Sequence, residues 1–105
     1  MGRLVLMNPV CSYNDLADGD SLAVDWQGIS VLVCRSGDDV FAIENRCTHQ
    51  ETPLAGGKIR RGFIACPLHG VMFELATGEP RGTLTKEALR TFKTLIQDEQ
   101  IFIEE

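Results

Sequence analysis

Two short boxes of the sequence contain the residue types that bind transition metals. They cover residues 47–49 (C-T-H) and 66–69 (C-P-L-H), with 16 residues between them. Both histidines of the chain and two of its four cysteines lie in these boxes. Two thiolates and two imidazoles make a complete four-ligand set without help from elsewhere. The sequence therefore predicts a metal site with the ligands Cys47, His49, Cys66 and His69.

The distribution of cysteine and histidine between the boxes indicates which metal is bound. Zinc sites and mixed-ligand iron–sulfur centres both accept two cysteines and two histidines. Zinc fingers usually pair two cysteines in one knuckle and two histidines in the other, whereas each box here supplies one of each. This arrangement favours a [2Fe–2S] centre with Cys47 and Cys66 on a buried iron and the two histidines on an outer iron. A structural zinc module that binds a protein partner is the alternative, and it would be colourless rather than reddish-brown.

The flanking residues strengthen the iron–sulfur interpretation, because CTHQETPLAGG and CPLHGVMFELATG resemble the ligand segments of the Rieske iron–sulfur family. The shared features are both boxes, the proline after the second cysteine, the glycine after the second histidine and the trailing Phe and Thr-Gly. Within the family, the chain is most similar to the small Rieske-type ferredoxins that serve bacterial multicomponent ring-hydroxylating oxygenases. The resemblance implies one Rieske-type [2Fe–2S] cluster per chain, bound by the four ligands named above.

The resemblance also implies an all-β fold. It would be a small antiparallel β-sandwich or barrel of the Rieske type, with a cluster-binding subdomain formed by two loops. We expect a single Rieske domain over residues 1–105, with its cluster-binding part at about residues 45–82. In Rieske proteins a loop that contains a proline covers the cluster, and Pro80 is the candidate in this sequence.

The function that the resemblance implies is that of a soluble one-electron carrier, not an enzyme. It would pass electrons from an NAD(P)H-dependent flavoprotein reductase to a terminal oxygenase, namely an aromatic-ring dioxygenase of aromatic hydrocarbon catabolism. Both partners would contact a monomeric chain transiently at the end that holds His49 and His69. The alternatives that keep the cluster are a small subunit of a larger redox enzyme, such as an assimilatory nitrite reductase, or a donor to another monooxygenase.

The sequence lacks the motifs that a catalytic role would need. With both histidines used as cluster ligands, none remains for an oxygen-activating iron site of two histidines and one carboxylate. A glycine-rich dinucleotide fingerprint and a phosphate-binding loop are also missing. The chain therefore resembles neither a complete terminal oxygenase nor a flavin reductase.

Three positions in the second box and after it predict a low reduction potential. High-potential Rieske proteins of respiratory cytochrome complexes have a serine just after the box glycine and a tyrosine two residues later, and both donate hydroxyl hydrogen bonds. Those proteins also join their ligand loops by a disulfide. This sequence has Val71 and Phe73 at the hydroxyl positions and Leu68 in place of the extra cysteine. We therefore expect a potential near the bottom of the Rieske range of about −150 to +300 mV.

Charge and hydropathy limit the possible partners. The net charge of −5 argues against nucleic-acid binding. Residues 46–81 contain five basic and three acidic residues, a local charge of +2, so the rest of the chain has −7. This asymmetry reflects either ordinary solvated loops or a dipole that orients the molecule towards its partners. No signal peptide and no membrane-spanning stretch are evident, so we expect a cytoplasmic protein without membrane contact.

The boxes must be positioned by short β-strands. Residues 12–20 are predicted to be a turn-rich loop, and Cys11 and Cys34 are expected to be free thiols packed as small apolar side chains. The segment from residue 85 has the composition of a helix, but alternation from Leu89 onward favours a terminal hairpin of residues 89–96 and 101–103. The other predicted strands are residues 4–6, 21–26, 29–35, 40–44, 58–60, 63–65 and 72–74. The three strands between residues 21 and 44 are predicted to form an antiparallel meander.

Overall fold

The computed structural model describes residues 8–49, 52–68 and 70–104, and within these ranges the regular secondary structure is almost entirely β-strand. The strand predicted at residues 4–6 lies outside the described residues. One turn of 3-10 helix is present at Tyr13–Asp15. No helix among the described residues has the length and apolar character needed to cross a membrane. The described strands are β1 Cys11–Ser12, β2 Ser21–Trp26, β3 Ile29–Ser36, β4 Asp39–Glu44, β5 Ile59–Arg60, β6 Phe63–Ala65, β7 Met72–Glu74, β8 Thr91–Gln97 and β9 Gln100–Glu104.

The described strands form two antiparallel sheets, which confirms the predicted all-β antiparallel fold. The larger sheet has the strand order β1-β9-β8-β4-β3-β2 and is curled into a half-barrel. The smaller sheet has the order β5-β6-β7. Strands β2, β3 and β4 form the predicted meander, in which Val33 lies opposite Leu22 on one side and Ala42 on the other. The second ligand box connects β6 to β7 in the smaller sheet.

Two-residue turns set the register of the hairpins. Gln27-Gly28, Arg61-Gly62 and Asp98-Glu99 have positive φ at both positions, which is the I′ geometry that matches the twist of paired strands. The turn between β3 and β4 has positive φ at Gly37 and not at the residue after it, which is the II′ geometry. The predicted terminal hairpin is therefore confirmed.

Strand β3 is buried on both faces and separates two apolar cores. Because side chains alternate along a strand, Leu32 and Cys34 face the first core, and Val31 and Val33 face the second. The second core lies within the larger sheet and includes Leu16, Val40, Ala42, Phe92, Ile101 and Ile103. The first core joins both sheets and both ligand boxes, and its other members are Ile43, Cys47, Leu54, Ile64, Cys66, Val71, Phe73, Leu75 and Leu89.

The two cysteines outside the boxes are free thiols, as predicted. Cys11 lies on β1, and Cys34 lies on β3 in the first core. The buried S–H of Cys34 donates to the carbonyl oxygen of Leu32 at 3.8 Å. Burial raises the pKa of the Cys34 thiol to about 12, so this thiol stays protonated at neutral pH.

The prediction of a turn-rich loop over residues 12–20 is partly wrong, because a short strand and a 3-10 turn occupy its start. Strand β1 pairs with β9, with Cys11 opposite Ile101. Ser12 then caps the 3-10 turn, and its hydroxyl oxygen accepts from the N–H of Asn14 at 3.3 Å. A strand of two residues has no periodicity to detect, and its partner lies at the far end of the chain.

A close backbone approach at Gly78 connects the smaller sheet to the chain that enters β8. The N–H of Gly78 donates to the carbonyl oxygen of Glu74, and the carbonyl oxygen of Gly78 accepts from the N–H of Leu89, at 2.6 and 2.8 Å. Gly78 has φ +80°, and a Cβ atom there would lie 2.3 Å from the carbonyl oxygen of Leu89. Only glycine fits this contact without movement of the backbone.

Replacement of Gly78 by Ala should therefore destabilise the protein more than the same replacement at Gly28. Gly28 has φ +81° and nothing within 4 Å of a Cβ position, so it is a matched control for backbone strain. Both variants acquire about 1–2 kcal/mol of left-handed strain. Gly78→Ala should lose about 1–3 kcal/mol more, because its Cβ meets the backbone at Leu89. Urea unfolding followed by circular dichroism measures the difference, and equal losses would contradict the prediction.

Candidate metal centre

The two ligand boxes lie in loops that meet at the first core. Cys47 follows β4, and Cys66 directly follows β6. These cysteines are 0% and 2% exposed, and both belong to the apolar cluster that includes Leu54 and Phe73. The structure thus brings the two predicted thiolate ligands into one core. The predicted ligand His69 lies outside the described residues.

The first box contributes one described histidine, and a buried hydroxyl group follows it. His49 is half-buried, and its Nδ1 atom is inaccessible to solvent. The hydroxyl oxygen of Thr52 is also buried and has no hydrogen-bond partner among the described residues. Within residues 8–49, 52–68 and 70–104, no three His, Cys, Asp or Glu side chains are grouped around one metal position. The four-ligand set that includes His69 therefore stays a prediction.

The first ligand loop is closed by an asparagine at its start. The side-chain oxygen of Asn45 accepts from the N–H groups of Leu54 and Ala55, at 2.8 and 3.0 Å. Its amide nitrogen donates to the hydroxyl oxygen of Ser30 at 3.2 Å, which ties the loop to β3. Sequence reasoning missed Asn45, although an asparagine two residues before a ligand box has a side chain that commonly forms hydrogen bonds with nearby loop backbone. The loop thus has two ends held by one side chain.

The second ligand loop is a closed turn within the hairpin of β6 and β7. The N–H of Cys66 donates to the carbonyl oxygen of Val71 at 2.8 Å. The N–H of Gly70 donates to the carbonyl oxygen of Cys66 at 2.9 Å, and Gly70 has φ +72°. These bonds turn the chain tightly around the position of the second box. Val71 is buried, whereas Leu68 is 59% exposed.

A third segment, residues 85–87, forms hydrogen bonds with the first box. The hydroxyl of Thr48 donates to the carbonyl oxygen of Glu87 at 2.7 Å and lies 3.2 Å from the hydroxyl of Thr85. Pro80, the residue expected to lie over the cluster, forms an isolated bridge with Phe73. Sequence reasoning missed Thr85 and Glu87, because no motif identifies a residue that bonds to a loop far from it along the chain.

The donors that the structure describes fit a [2Fe–2S] cluster. Soft thiolate ligands select iron–sulfur clusters and zinc. Cys47 and Cys66 place two sulfur atoms in one apolar core, and cysteine sulfur is the ligand type that such a cluster requires. The buried hydroxyl of Thr52 needs an acceptor that the described protein atoms do not supply. A sulfide-rich group would supply one.

Basic residues are exposed on the smaller sheet and the loops beside it. Lys58, Arg60 and Arg61 are exposed at β5 and its turn. The guanidinium carbon of Arg81 lies 4.6 Å from the ring centroid of Phe63, which orients that cation over β6. The local positive charge counted from the sequence therefore lies on the part of the molecule that contains the second box.

Comparison with protein families matches residues 7–93 to the Rieske [2Fe-2S] domain. Ferredoxin CarAc of Metapseudomonas resinovorans is 30% identical over 95 residues, which cover 90% of this chain and 89% of that protein. The ferredoxin component of biphenyl 2,3-dioxygenase from Rhodococcus jostii (strain RHA1) is 28% identical, with 93% and 92% covered. Apoptosis-inducing factor 3 of Homo sapiens is 29% identical over 90% of this chain, but the chain spans only 16% of that protein.

Solved structures similar to this chain include ferredoxins of dioxygenase systems as well. The ferredoxin of carbazole 1,9a-dioxygenase from Nocardioides aromaticivorans IC177 superimposes with a TM-score of 0.86 at 31% identity, covering 92% of this chain and 95% of that one. A chain from a complex of reduced oxygenase and oxidized ferredoxin in carbazole 1,9a-dioxygenase gives 0.85 at 28% identity, with 92% and 100% covered. The zinc alternative is thereby set aside in favour of a Rieske-type [2Fe–2S] cofactor. The chain belongs to the Rieske [2Fe-2S] domain family.

Proposed function

We propose that this chain is an electron-transfer component that delivers one electron at a time to a terminal oxygenase. The observation that carries this proposal is the likeness along nearly the whole length of both chains to ferredoxin components of dioxygenase systems. An oxygenase–ferredoxin complex among the structural neighbours supports the choice of acceptor. The relatives are carrier components rather than catalytic ones, so no reaction is assigned to this chain.

In this proposal the ligands are divided between the two irons by type, with Cys47 and Cys66 on one and His49 and His69 on the other. When bound, the cluster takes up and releases one electron, and two neutral imidazoles make its reduction easier than that of a four-thiolate cluster. The protein excludes water from the cysteine side, because both cysteines lie in the apolar first core. The proposed cluster-binding part, about residues 45–82, has contacts that extend to Glu87.

The finer proposal concerns the partners. Since the sequence has no nucleotide-binding motif, its electrons come from another protein, and we assign this role to an NAD(P)H-dependent flavoprotein reductase. The acceptor is an aromatic-ring dioxygenase, because the relatives include ferredoxin components of biphenyl 2,3-dioxygenase and naphthalene 1,2-dioxygenase systems. A monomeric carrier would bind each partner in turn at the end that holds His49 and His69.

The contact surface is proposed around the second box. Leu68 precedes His69 and exposes 59% of its surface, although it is a large apolar side chain. The exposed cations Lys58, Arg60 and Arg61 lie at and beside β5, which pairs with the strand β6 that leads to the second box, and would steer an acidic partner surface. An apolar centre with a charged rim is the common anatomy of a protein interface.

The cluster should have a low midpoint potential. Val71 and Phe73, at the two hydroxyl positions, are 4% and 0% exposed and have no group that donates to sulfur. A redox titration should give a midpoint below about +100 mV, in the lower part of the Rieske range.

The substitution Val71→Ser should raise the midpoint potential, because the new hydroxyl stabilises the reduced cluster. Val33→Ser, which is equally buried in the second core, should lose stability without a change of potential. A wild-type midpoint above about +100 mV would contradict this prediction.

The function is tested by reconstitution of electron transfer. The chain should be reduced by NADPH or NADH only when a flavoprotein ferredoxin reductase is present, and the reduced chain should then reduce a terminal ring-hydroxylating oxygenase. Stopped-flow absorbance follows both steps. Failure of the reduced chain to transfer electrons to any such oxygenase, although it holds a full cluster, would refute the proposed acceptor.

Leu68→Asp should slow electron transfer to the oxygenase by about tenfold or more, because it places a charge in the apolar centre of the contact. Its midpoint potential should change little, since Leu68 is exposed. Ile96→Asp is the matched control: Ile96 is 44% exposed on β8, about 17 Å along the strand from Thr91, where β8 pairs with β4. Equal slowing in both variants would show that the second box is not the contact surface.

A further inference from the structure

We propose that the hydroxyl of Thr52 donates a hydrogen bond to a sulfur atom of the cluster and thereby raises its reduction potential. This inference rests on the proposed ligand assignment of Cys47 and Cys66. Its first support is the state of the hydroxyl itself, whose oxygen is buried and has no partner among the described residues. Buried hydroxyl groups almost always form a hydrogen bond, so this one identifies an acceptor that is not a described protein atom.

The position of Thr52 limits what this acceptor can be. The carbonyl oxygen of Thr52 accepts from the N–H of Cys47 at 2.7 Å, so the residue is bonded directly to the backbone of a proposed ligand. Leu54, two residues later, is fully buried in the core that contains Cys47 and Cys66. No described backbone or side-chain atom accepts from this hydroxyl, and no polar or charged residue among the described ones is buried, so the cysteine sulfur atoms are the side-chain acceptors that this core offers. A cysteine thiolate or a bridging sulfide of the cluster fits that description.

The other hydroxyl in the loop shows the contrast. Thr48 also lies beside Cys47, but its hydroxyl is turned to the outer segment and donates to the carbonyl oxygen of Glu87 at 2.7 Å. Only the Thr52 hydroxyl of this pair therefore remains available to the cluster. Val71 and Phe73 have no hydroxyl to compete for the same sulfur atoms.

The effect on the potential follows from charge. Reduction adds one electron to the cluster, so its sulfur atoms become stronger hydrogen-bond acceptors, while the proton stays on the Thr52 oxygen. The bond is then stronger in the reduced state than in the oxidised state. Loss of the hydroxyl should make reduction less favourable, and this contribution should not depend on pH because no proton is transferred.

Thr52→Val tests the inference, since valine has the shape of threonine without the hydroxyl. At a fixed ambient potential, the ratio of reduced to oxidised cluster should fall by about tenfold, which corresponds to 59 mV for one electron. Thr52→Ser should behave like the wild type, and Thr52→Ala should repeat the shift of the valine variant. Thr94→Val is the matched control, because it removes a hydroxyl that donates to the carbonyl oxygen of Val40 in the larger sheet. Its potential should not change.

A second measurement reports on the bond itself. Pulsed electron–nuclear double resonance of the reduced wild type should detect an exchangeable proton coupled to the cluster that disappears in D2O and is missing from Thr52→Val. Unchanged potentials and an unchanged exchangeable proton in Thr52→Val and Thr52→Ala, with full iron content, would overturn this inference alone. A wild-type protein that binds no iron–sulfur cluster would overturn the ligand assignment together with it.

Discussion

The burial of two cysteines, Cys47 and Cys66, in one apolar core is the constraint on which the rest of this structure depends. A thiolate is unstable there by itself, since burial disfavours the charged form, and Cys34 in the same core has its pKa raised to about 12 for this reason. In the proposed ligand assignment, coordination by iron would stabilise the thiolate forms of Cys47 and Cys66. Under that assignment, the loops that hold these cysteines must be closed and rigid enough to present both sulfur atoms together, and folding of this region would be coupled to cluster binding.

The β-scaffold meets this requirement with a strand that serves two cores. One face of β3 packs in the core that contains Cys47 and Cys66, and the other face packs within the curled larger sheet. The side chain of Asn45, just after β4, closes the first loop. The backbone hydrogen bond from Cys66 to Val71 closes the second loop within its hairpin. The approach of Gly78 to Leu89 then connects the smaller sheet to the larger one. Each loop is thus positioned by strands rather than by its own sequence.

Local sequence signals predicted most of the strands and the candidate ligands. Short β-rich runs bounded by turn residues, with alternation in β4 and β8, located β2 through β9 to within about two residues of their observed bounds. Gln27-Gly28 and Arg61-Gly62 were recognisable because glycine accepts the positive φ of a tight turn. Strand β1 was not predictable, since two residues show no period and the partner is β9. Thr85 and Glu87 were missed for the same physical reason: their roles come from a contact with Thr48 that only the folded chain creates.

Low-temperature EPR of the dithionite-reduced protein, combined with nitrogen hyperfine spectroscopy, tests the central claim most directly. Ligation by two cysteines and two histidines should give a [2Fe–2S] signal distinct from that of four-cysteine clusters, with couplings to imidazole nitrogens of the outer iron. Replacement of His49 by Cys should remove one of these couplings if a cluster still assembles. An EPR-silent protein that holds one divalent ion per chain, or a cluster signal without nitrogen coupling, would contradict the account.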